Sequence, residues 1–282
     1  MPKIGLLIDS TTLTRGDILT HACVKVAPLN VLIDGNEYRE TDITEAKMME
    51  HLHTAKKMTT SQPAPGEFLR LYEEFASEGY THVLVVLISD KISGTAQSAV
   101  IAKGMLDIPL EVEIYPTAVA SYGVTNGVMA LIADIEAGHP FDRVVGRCKS
   151  LFADAKVMFT LSNLMNLFRG GRLNKMSALI GTVLHIKPII EMIDGKLQLT
   201  KKERTNIACY EYFLQNVRAY RVLHRNVSVD VIAINRDDWG DRLVEAIGRE
   251  NPDIRIHLTQ TLSPVFYIHL GDQGFGIAMT GE

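Results

Sequence analysis

Residues 82–105, HVLVVLISDKISGTAQSAVIAKGM, decide the fold class. His82 to Ile88 is a continuous apolar run with too little alternation to face water, which predicts a strand buried on both faces, as in a parallel sheet. Ser89 to Gly94 is a polar loop, and Thr95 to Met105 has the pattern of a helix. A buried strand followed by a loop and a helix is the repeating unit of an α/β layer.

The same unit recurs on both sides of this stretch. Ile4 to Ile8 predicts another buried strand, and Glu111 to Tyr115 a third. Helical patterns occupy Thr44 to Ala55, Pro65 to Gly79 and Val124 to Ala137, and Phe141 to Phe152 completes this half. The first half is therefore predicted to be a parallel α/β layer.

The pattern changes beyond Lys156, which predicts a domain boundary near Asp154. We expect an N-terminal α/β domain over residues 1–154 and a C-terminal α+β domain with a mixed sheet over 155–282. Asp194-Gly195 is a strong hairpin signal between two apolar runs. The remaining predicted elements are a helix from Asn206 to about His224, strands at Val227–Ile234, Ile254–Leu258, Val265–His269 and Phe275–Thr280, and a helix near Trp239–Arg249.

The composition is that of an ordinary globular protein. The chain has 282 residues, of which 46% are hydrophobic and 22% charged, with a formal net charge of −4. These values argue against a disordered or fibrous chain and against a general nucleic-acid binder. Arg169 to Arg225 nevertheless contains 11 basic and 4 acidic residues. This basic stretch is interpreted as a docking face for an acidic partner or an anionic membrane, or else as a solvated surface.

The sequence also favours a cytoplasmic location without a membrane anchor. Cys23, Cys148 and Cys209 form no C-x-x-C pair, which argues for reduced thiols and against a zinc or thioredoxin-type site. Asp9 follows the first apolar run too soon for a signal peptide. No apolar run approaches the roughly 20 residues that span a bilayer. We expect no metal and no cofactor.

Hydroxyl side chains cluster where predicted strands end and helices begin. The clusters are Asp9-Ser10-Thr11-Thr12, Thr59-Thr60-Ser61-Gln62-Pro63 and Ser93-Gly94-Thr95. Each serine or threonine there could be an ordinary helix cap. Three such loops at the carboxyl edge of one sheet, where α/β proteins bind ligands, predict a cradle of neutral hydrogen-bond donors.

Two further signals lie in the second half. His269 follows an apolar run near the C-terminus, and a lone histidine is more often structural than functional. Gly170-Gly171-Arg172 allows close backbone approach and offers a guanidinium that can bind a carboxylate or phosphate. The alternative is a glycine pair that ends a helix, followed by a solvated arginine.

Taken together, these motifs resemble the DegV family of bacterial fatty-acid-binding proteins, which includes the binding subunit of fatty acid kinase. The resemblance covers nearly the whole chain and rests on an ordered series of motifs: Asp9-Ser10-Thr11, Thr60-Ser61-Gln62-Pro63, Ser93-Gly94-Thr95 with Gln97-Ser98-Ala99, Gly170-Gly171-Arg172-Leu173, Ile186-Lys187-Pro188-Ile189, Asp194-Gly195 and Arg204-Thr205. Two positions depart from the family pattern. Asp272 stands where a proline is usual, and Pro116-Thr117 where an Asp-Ser or Asp-Thr pair is usual.

The resemblance implies a non-catalytic protein that buries one long-chain fatty acid in an apolar tunnel. The carboxylate would be held by the Thr60/Ser61 loop, by Ser93 with Gly94, and by the His269 region. It would be presented to a separate ATP-dependent fatty acid kinase catalytic subunit, which forms the acyl phosphate. Arg172 and Arg204 correspond to basic residues that face the partner or the phosphate.

Two alternatives remain open at this point. The first is a serine hydrolase of acyl esters or thioesters, with Ser93 as nucleophile and His269 as base. The absence of a G-x-S-x-G nucleophile elbow counts against it. The second is a regulatory module that senses acyl ligands and has no kinase partner.

Overall fold

A computed structural model of the chain describes residues 2–12, 16–173, 186–235 and 238–282. The strands are β1 (Ile4–Asp9), β2 (Val24–Ala27), β3 (Asn30–Ile33), β4 (Asn36–Arg39), β5 (Met58–Ser61), β6 (His82–Leu87), β7 (Glu111–Pro116), β8 (Lys156–Leu161), β9 (Lys187–Ile193), β10 (Lys196–Glu203), β11 (Ser228–Ile234), β12 (Arg255–Thr259) and β13 (Gly274–Thr280). The helices are α1 (Glu45–Thr54), α2 (Pro65–Ser77), α3 (Thr95–Gly104), α4 (Tyr122–Glu136), α5 (Phe141–Ala153), α6 (Met165–Arg169), α7 (Asn206–Leu223), α8 (Trp239–Glu250) and α9 (Pro264–Leu270). Three sheets result.

The first sheet is parallel and has the strand order β2-β1-β6-β7. All six residues of β1 are buried, as are five of the six residues of β6. Sequences of this kind lack alternation because helices cover a parallel sheet on both faces. The predicted parallel α/β layer is confirmed, and its three predicted strands form the centre and one edge of this sheet.

The second sheet is mixed, with the order β10-β9-β8-β13-β11-β12. Only the β11–β12 pair is parallel among these neighbours. The predicted hairpin is present: Asp194 and Gly195 have φ of 49° and 77°, the left-handed conformations that a type I′ turn requires. The C-terminal mixed sheet is therefore confirmed. The domain boundary near Asp154 stays a prediction; it falls between the end of α5 and the start of β8.

One predicted strand is wrong. Residues Val265 to His269 form most of helix α9 instead of a strand. Four consecutive residues of this helix are buried, so its apolar run reflects burial on all sides, which periodicity alone cannot distinguish from a buried strand. The overlooked signal is Ser263-Pro264, since proline is favoured at the first helical position and serine before it.

A third, antiparallel sheet of order β4-β3-β5 was not predicted. Its strands have four residues each, and β4 is exposed along its whole length, so none carries a clear apolar pattern. The segment predicted as a hydroxyl-rich loop, Thr59 to Ser61, is the end of edge strand β5. This small sheet shares a core with α9, formed by Leu29, Val31, Ile33, Met48, Ile234, Val265, Tyr267 and Ile268. The N-terminal sheet β4-β3-β5 and the C-terminal helix α9 therefore lie together.

Within the described part of the chain, no helix is both long and apolar enough to cross a bilayer.

Candidate ligand-binding site

A cavity lies where the three sheets and α9 meet, and we call it the central cavity. It contains about 1090 Å³ free of protein atoms, including the part open to solvent. Its apolar wall comes from every layer of the fold: Leu29, Ile88, Ile92, Ala120, Val157, Met158, Phe159, Leu161, Met192, Leu197, Ile232, Ile234, Val265, Phe266, Phe275 and Ala278. Its polar lining residues include Thr60, Ser61, Gln62, Ser93, Ser121, Arg172, His269 and Gln273. A large apolar pocket with a few polar groups is typical of a small-molecule site.

Thr60 and His269 meet at this cavity. Thr60 Oγ1 lies 2.9 Å from His269 Nε2. Burial, together with a smaller effect of the positive charge of Arg172, lowers the pKa of His269 to about 4. The imidazole is therefore neutral near pH 7. It can donate one hydrogen bond to Thr60 or accept one from it, and neither arrangement places a charge in the cavity.

Gly170 allows the end of α6 to close on this histidine. A Cβ atom at position 170 would lie 2.7 Å from His269 Nδ1 and 3.2 Å from the Asn166 carbonyl oxygen. Only glycine leaves room for the ring in this arrangement. The first glycine of the Gly170-Gly171-Arg172 motif thus has a packing role beside the imidazole.

The Ser93 loop lies beside the residues that follow β5. Ser93 Oγ is 2.8 Å from Thr95 Oγ1 and accepts a weaker bond from the Thr95 amide at 3.4 Å. Gly94 is the residue before α3, and a Cβ there would lie 2.8 Å from Gln62 Nε2. Gly94 does not itself line the central cavity; its role is to let the two loops touch. The structure thus brings Thr60, Ser61, Ser93 and His269 to one cavity.

The geometry does not form a catalytic pair. A serine hydrolase needs its nucleophile within hydrogen-bond reach of the base. Here Ser93 Oγ bonds to Thr95, whereas His269 Nε2 bonds to Thr60. The hydrolase alternative thus lacks its central contact.

Arg172 lies in the cavity wall. Its Nη1 donates to the Gly170 carbonyl at 2.7 Å and its Nε to the Ile92 carbonyl at 3.3 Å. Partial burial lowers its pKa, and among the described residues it forms no ion pair with a carboxylate. A half-buried guanidinium bonded only to neutral carbonyls favours an anionic ligand nearby.

Arg204 lies elsewhere. It is exposed, directly after β10, and is not one of the residues around the central cavity. The cavity therefore contains one of the two arginines of the motif series. The role of both toward a partner stays a prediction.

The first hydroxyl cluster is internal and does not line the cavity, contrary to the expectation of three ligand-facing loops. Asp9 is fully buried and accepts bonds from the amides of Thr11 at 3.0 Å and Ile88 at 2.7 Å. Burial raises its pKa. Ser10 donates to Glu40, whose other oxygen accepts from the Val265 amide of α9 at 2.9 Å. This cluster therefore ties β1 to α9.

Part of the predicted basic face is neutralised within the fold. Arg218 on α7 makes two bonds of 2.6 Å to Glu250, and Arg221 bonds to Asp253. Lys175, also in the basic stretch, lies outside the described residues. The unpaired charge of this surface is smaller than the sequence count suggests.

The two departures from the family pattern do not line the cavity. Asp272 lies 3.3 Å from His53 on α1. Thr117 is buried, and its hydroxyl donates to the carbonyls of Leu87 and Val119, each at 3.0 Å. The neighbouring Gln273 does line the cavity.

Ser121 is a cavity residue that the motif search missed. It lies directly before α4, on the connection from β7. Its signal was available: a serine between a strand and a helix is the same pattern that singled out Ser93. The run from Glu111 to Tyr115 alternates charged and apolar residues, so it is a weaker signal for a buried strand than the continuous apolar run from His82 to Ile88.

Comparison with known proteins agrees with this architecture over the full length of the chain. The family model described as "Uncharacterised protein, DegV family" matches residues 3–282. A DegV domain-containing protein of Listeria innocua, lin2658, is 30% identical, with 98% of this chain and 97% of the relative covered. A solved fatty-acid-binding DegV family protein of Thermus thermophilus is 29% identical, with a TM-score of 0.89 over 99% of this chain and 100% of that one.

A third match shows the fold alone. The Streptococcus pneumoniae Fatty Acid Kinase (Fak) B3 protein, solved with linoleic acid, is 20% identical, with a TM-score of 0.84 over 100% of both chains. The family model covers all but the first two residues, and the cavity lies where the layers of this shared fold meet. The chain belongs to the DegV family.

Proposed function

We propose that this protein binds one long-chain fatty acid in the central cavity and presents its carboxylate to a separate kinase. One observation carries the proposal: a largely apolar cavity bears a cluster of hydrogen-bonding side chains around the Thr60–His269 contact. An amphipathic ligand with one polar end and a long apolar body fits this division. The Thermus thermophilus relative described above binds fatty acid, which supports the proposal that this cavity holds one.

The carboxylate is proposed to lie among Thr60, Ser61, Ser93 and His269, with Gly94 allowing the Ser93 loop to approach. Hydroxyl groups and a neutral imidazole can donate hydrogen bonds without forming a permanent buried ion pair. Arg172 adds a positive charge at the same wall. This arrangement orients the carboxylate while leaving an oxygen free to react.

The acyl chain is proposed to supply most of the binding free energy. Each buried CH₂ contributes about 0.8 kcal/mol, so a chain of about 16 to 18 carbons is retained mainly by the apolar wall. The polar cluster then determines orientation more than affinity. We infer that the protein is a non-catalytic subunit, since Ser93 and His269 are not paired for catalysis.

The proposed partner is a fatty acid kinase catalytic subunit. Arg172 and Arg204 are its proposed contacts, one at the cavity wall and one on the exposed surface. A brief contact with an anionic membrane is also proposed, at the end of α7, where Val222 and Leu223 are 84% and 74% exposed beside Arg225. The three free cysteines are buried, in keeping with the proposed cytoplasmic location.

The decisive experiment identifies the ligand. Protein purified from bacterial cells is denatured and extracted, and the extract is analysed by mass spectrometry. We expect about one long-chain fatty acid per chain. An empty protein that also fails to bind added fatty acid would contradict the proposal.

A second measurement tests presentation. Ser93→Ala should retain most of the fatty acid but should slow acyl-phosphate formation by an added kinase subunit and ATP. Ser98→Ala, a buried serine of the next helix that does not line the cavity, is the matched control. Hydrolysis of p-nitrophenyl acyl esters by the wild type, abolished in Ser93→Ala, would instead support the hydrolase.

A further inference from the structure

Ser121 has a strained backbone. Its φ and ψ are 54° and −132°, a conformation that residues other than glycine rarely adopt. Such a conformation is energetically unfavourable and persists only where the surrounding structure enforces it. Strained residues concentrate at ligand-binding sites, so the strain at Ser121 requires an explanation.

Helix capping is not that reason. A capping serine accepts a bond from the second or third amide of its helix. The amide of Gly123 instead donates to the Ala120 carbonyl at 3.1 Å, and that of Val124 to the Ser121 carbonyl at 2.8 Å. The Ser121 hydroxyl makes no capping bond.

The hydroxyl is buried and unpaired. Ser121 Oγ is inaccessible and has no hydrogen-bond partner among the described residues, although Ser121 lines the central cavity. Leaving a buried hydroxyl without a hydrogen-bond partner destabilises the folded protein. This one residue of the cavity wall therefore combines a strained backbone with an unpaired buried hydroxyl.

Among the described residues, no side-chain hydrogen bond joins Ser121 to the carboxylate cluster. The contacts of that cluster join Thr60 to His269, and Gly94 to Gln62. The start of α4 packs elsewhere: a Cβ on Gly123 would lie 2.5 Å from Val157 Cγ2, on strand β8. Ala120 and Tyr122, which flank Ser121, are buried, and the Tyr122 hydroxyl is already bonded to Thr259 and Thr261. Ser121 thus lines the cavity where α4 packs against β8, and rotation about its χ1 bond can turn the hydroxyl toward a ligand.

Resting on the proposed function, we propose that Ser121 is a specificity residue that hydrogen-bonds an oxygen atom on the acyl chain, so that the cavity accepts hydroxylated fatty acids. A serine hydroxyl can both donate and accept, which matches a ligand hydroxyl. A plain alkyl chain leaves Ser121 unpaired. Burying a hydroxyl of the acyl chain without a hydrogen-bond partner weakens binding. A hydrogen bond between this hydroxyl and Ser121 removes the desolvation penalty of both groups.

The test is a coupling measurement on delipidated full-length protein. Dissociation constants are measured for stearic acid and for 2-, 10- and 12-hydroxystearic acid, with the wild type and with Ser121→Ala. For at least one of the 10- and 12-isomers, we expect Ser121→Ala to weaken binding about tenfold relative to its effect on stearic acid. Ser93→Ala, at the carboxylate cluster, should change the binding of stearic acid and of the 10- and 12-isomers by a similar factor.

Ser121→Gly provides a second variant, since glycine suits the positive φ and also lacks the hydroxyl. It should show the same coupling even if Ser121→Ala folds poorly. Equal effects of the Ser121 variants on all four acids would overturn the inference while leaving fatty-acid binding intact. Coupling confined to the 2-isomer would also overturn it, since that would place Ser121 at the carboxylate. Failure of the wild type to bind stearic acid would refute the proposed function itself.

Discussion

Thr60 Oγ1 and His269 Nε2 are 2.9 Å apart although 209 positions separate the two residues in the chain. One lies on the last strand of the small sheet, the other in the last helix. We expect Thr60→Val to release the imidazole and to disorder a bound carboxylate. The ¹³C signal of a carboxyl-labelled fatty acid should shift and broaden, with binding weakened roughly threefold to tenfold. Thr59→Val, at the exposed neighbouring position, is the control and should leave the signal unchanged.

The depressed pKa of His269 predicts a pH-dependent stability. This pKa is about 4 in the folded protein and 6.5 in the unfolded chain. Between these values the unfolded chain binds more protons, so the free energy of unfolding decreases as the pH falls from 6.5 toward 4. The loss from this residue is at most about 3 kcal/mol.

His269→Gln lacks this titration and keeps a hydrogen-bonding side chain. Its free energy of unfolding should therefore decline less steeply over the same pH interval, as measured by urea denaturation. Buried carboxyls such as Asp9 contribute equally to both proteins and cancel in the comparison. Parallel curves for the two proteins would show that His269 is not desolvated.

Gly170→Ala should damage the site by overpacking. The added methyl would lie 2.7 Å from His269 Nδ1, so either the ring or the end of α6 must move. We expect a loss of about 1–3 kcal/mol of stability and weaker fatty-acid binding. The matched control is Gly146→Ala, on an exposed position of α5 with nothing within 4 Å, which should gain roughly 0.5–1 kcal/mol. A stabilised Gly170→Ala would contradict this packing role.

Arg172→Ala should separate ligand retention from phosphorylation. The acyl chain still contacts the apolar wall, so the fatty acid should copurify with the variant. Acyl-phosphate formation by an added kinase subunit should fall by about tenfold, since a guanidinium hydrogen-bonds anionic groups strongly. Removing this charge should also raise the pKa of His269, which NMR titration can detect. Loss of the ligand from the variant would assign Arg172 to retention instead.

The sequence predicted the strands whose apolar runs recur in the strand–loop–helix pattern of an α/β layer. His82 to Ile88 and Ile4 to Ile8 are continuous apolar runs, and both are central strands. It failed for Val265 to His269 because an apolar run of this length fits a buried helix equally well. It also missed the small sheet, although Asp34-Gly35 carries the same turn signal as Asp194-Gly195.

The site was predicted in part, for a related reason. Ser93, Thr60 and His269 stood out through local motifs, and the structure brings all three to the central cavity. The pairing of Thr60 with His269 depends on how the small sheet packs on α9, which no local pattern encodes. Ser121 was missed because the run before it, Glu111 to Tyr115, is a weaker strand signal than His82 to Ile88. Its positive φ gave no help, since sequence patterns specify such angles for glycine far better than for serine.

The shared core of the small sheet and α9 has a consequence for how the protein is made. Strands β3 and β5 are synthesised long before their packing partner, helix α9. Contacts of such long sequence separation form late and slowly. A nascent chain should therefore be unable to hold fatty acid until α9 has been synthesised, so a product that stops before α9 would not sequester lipid.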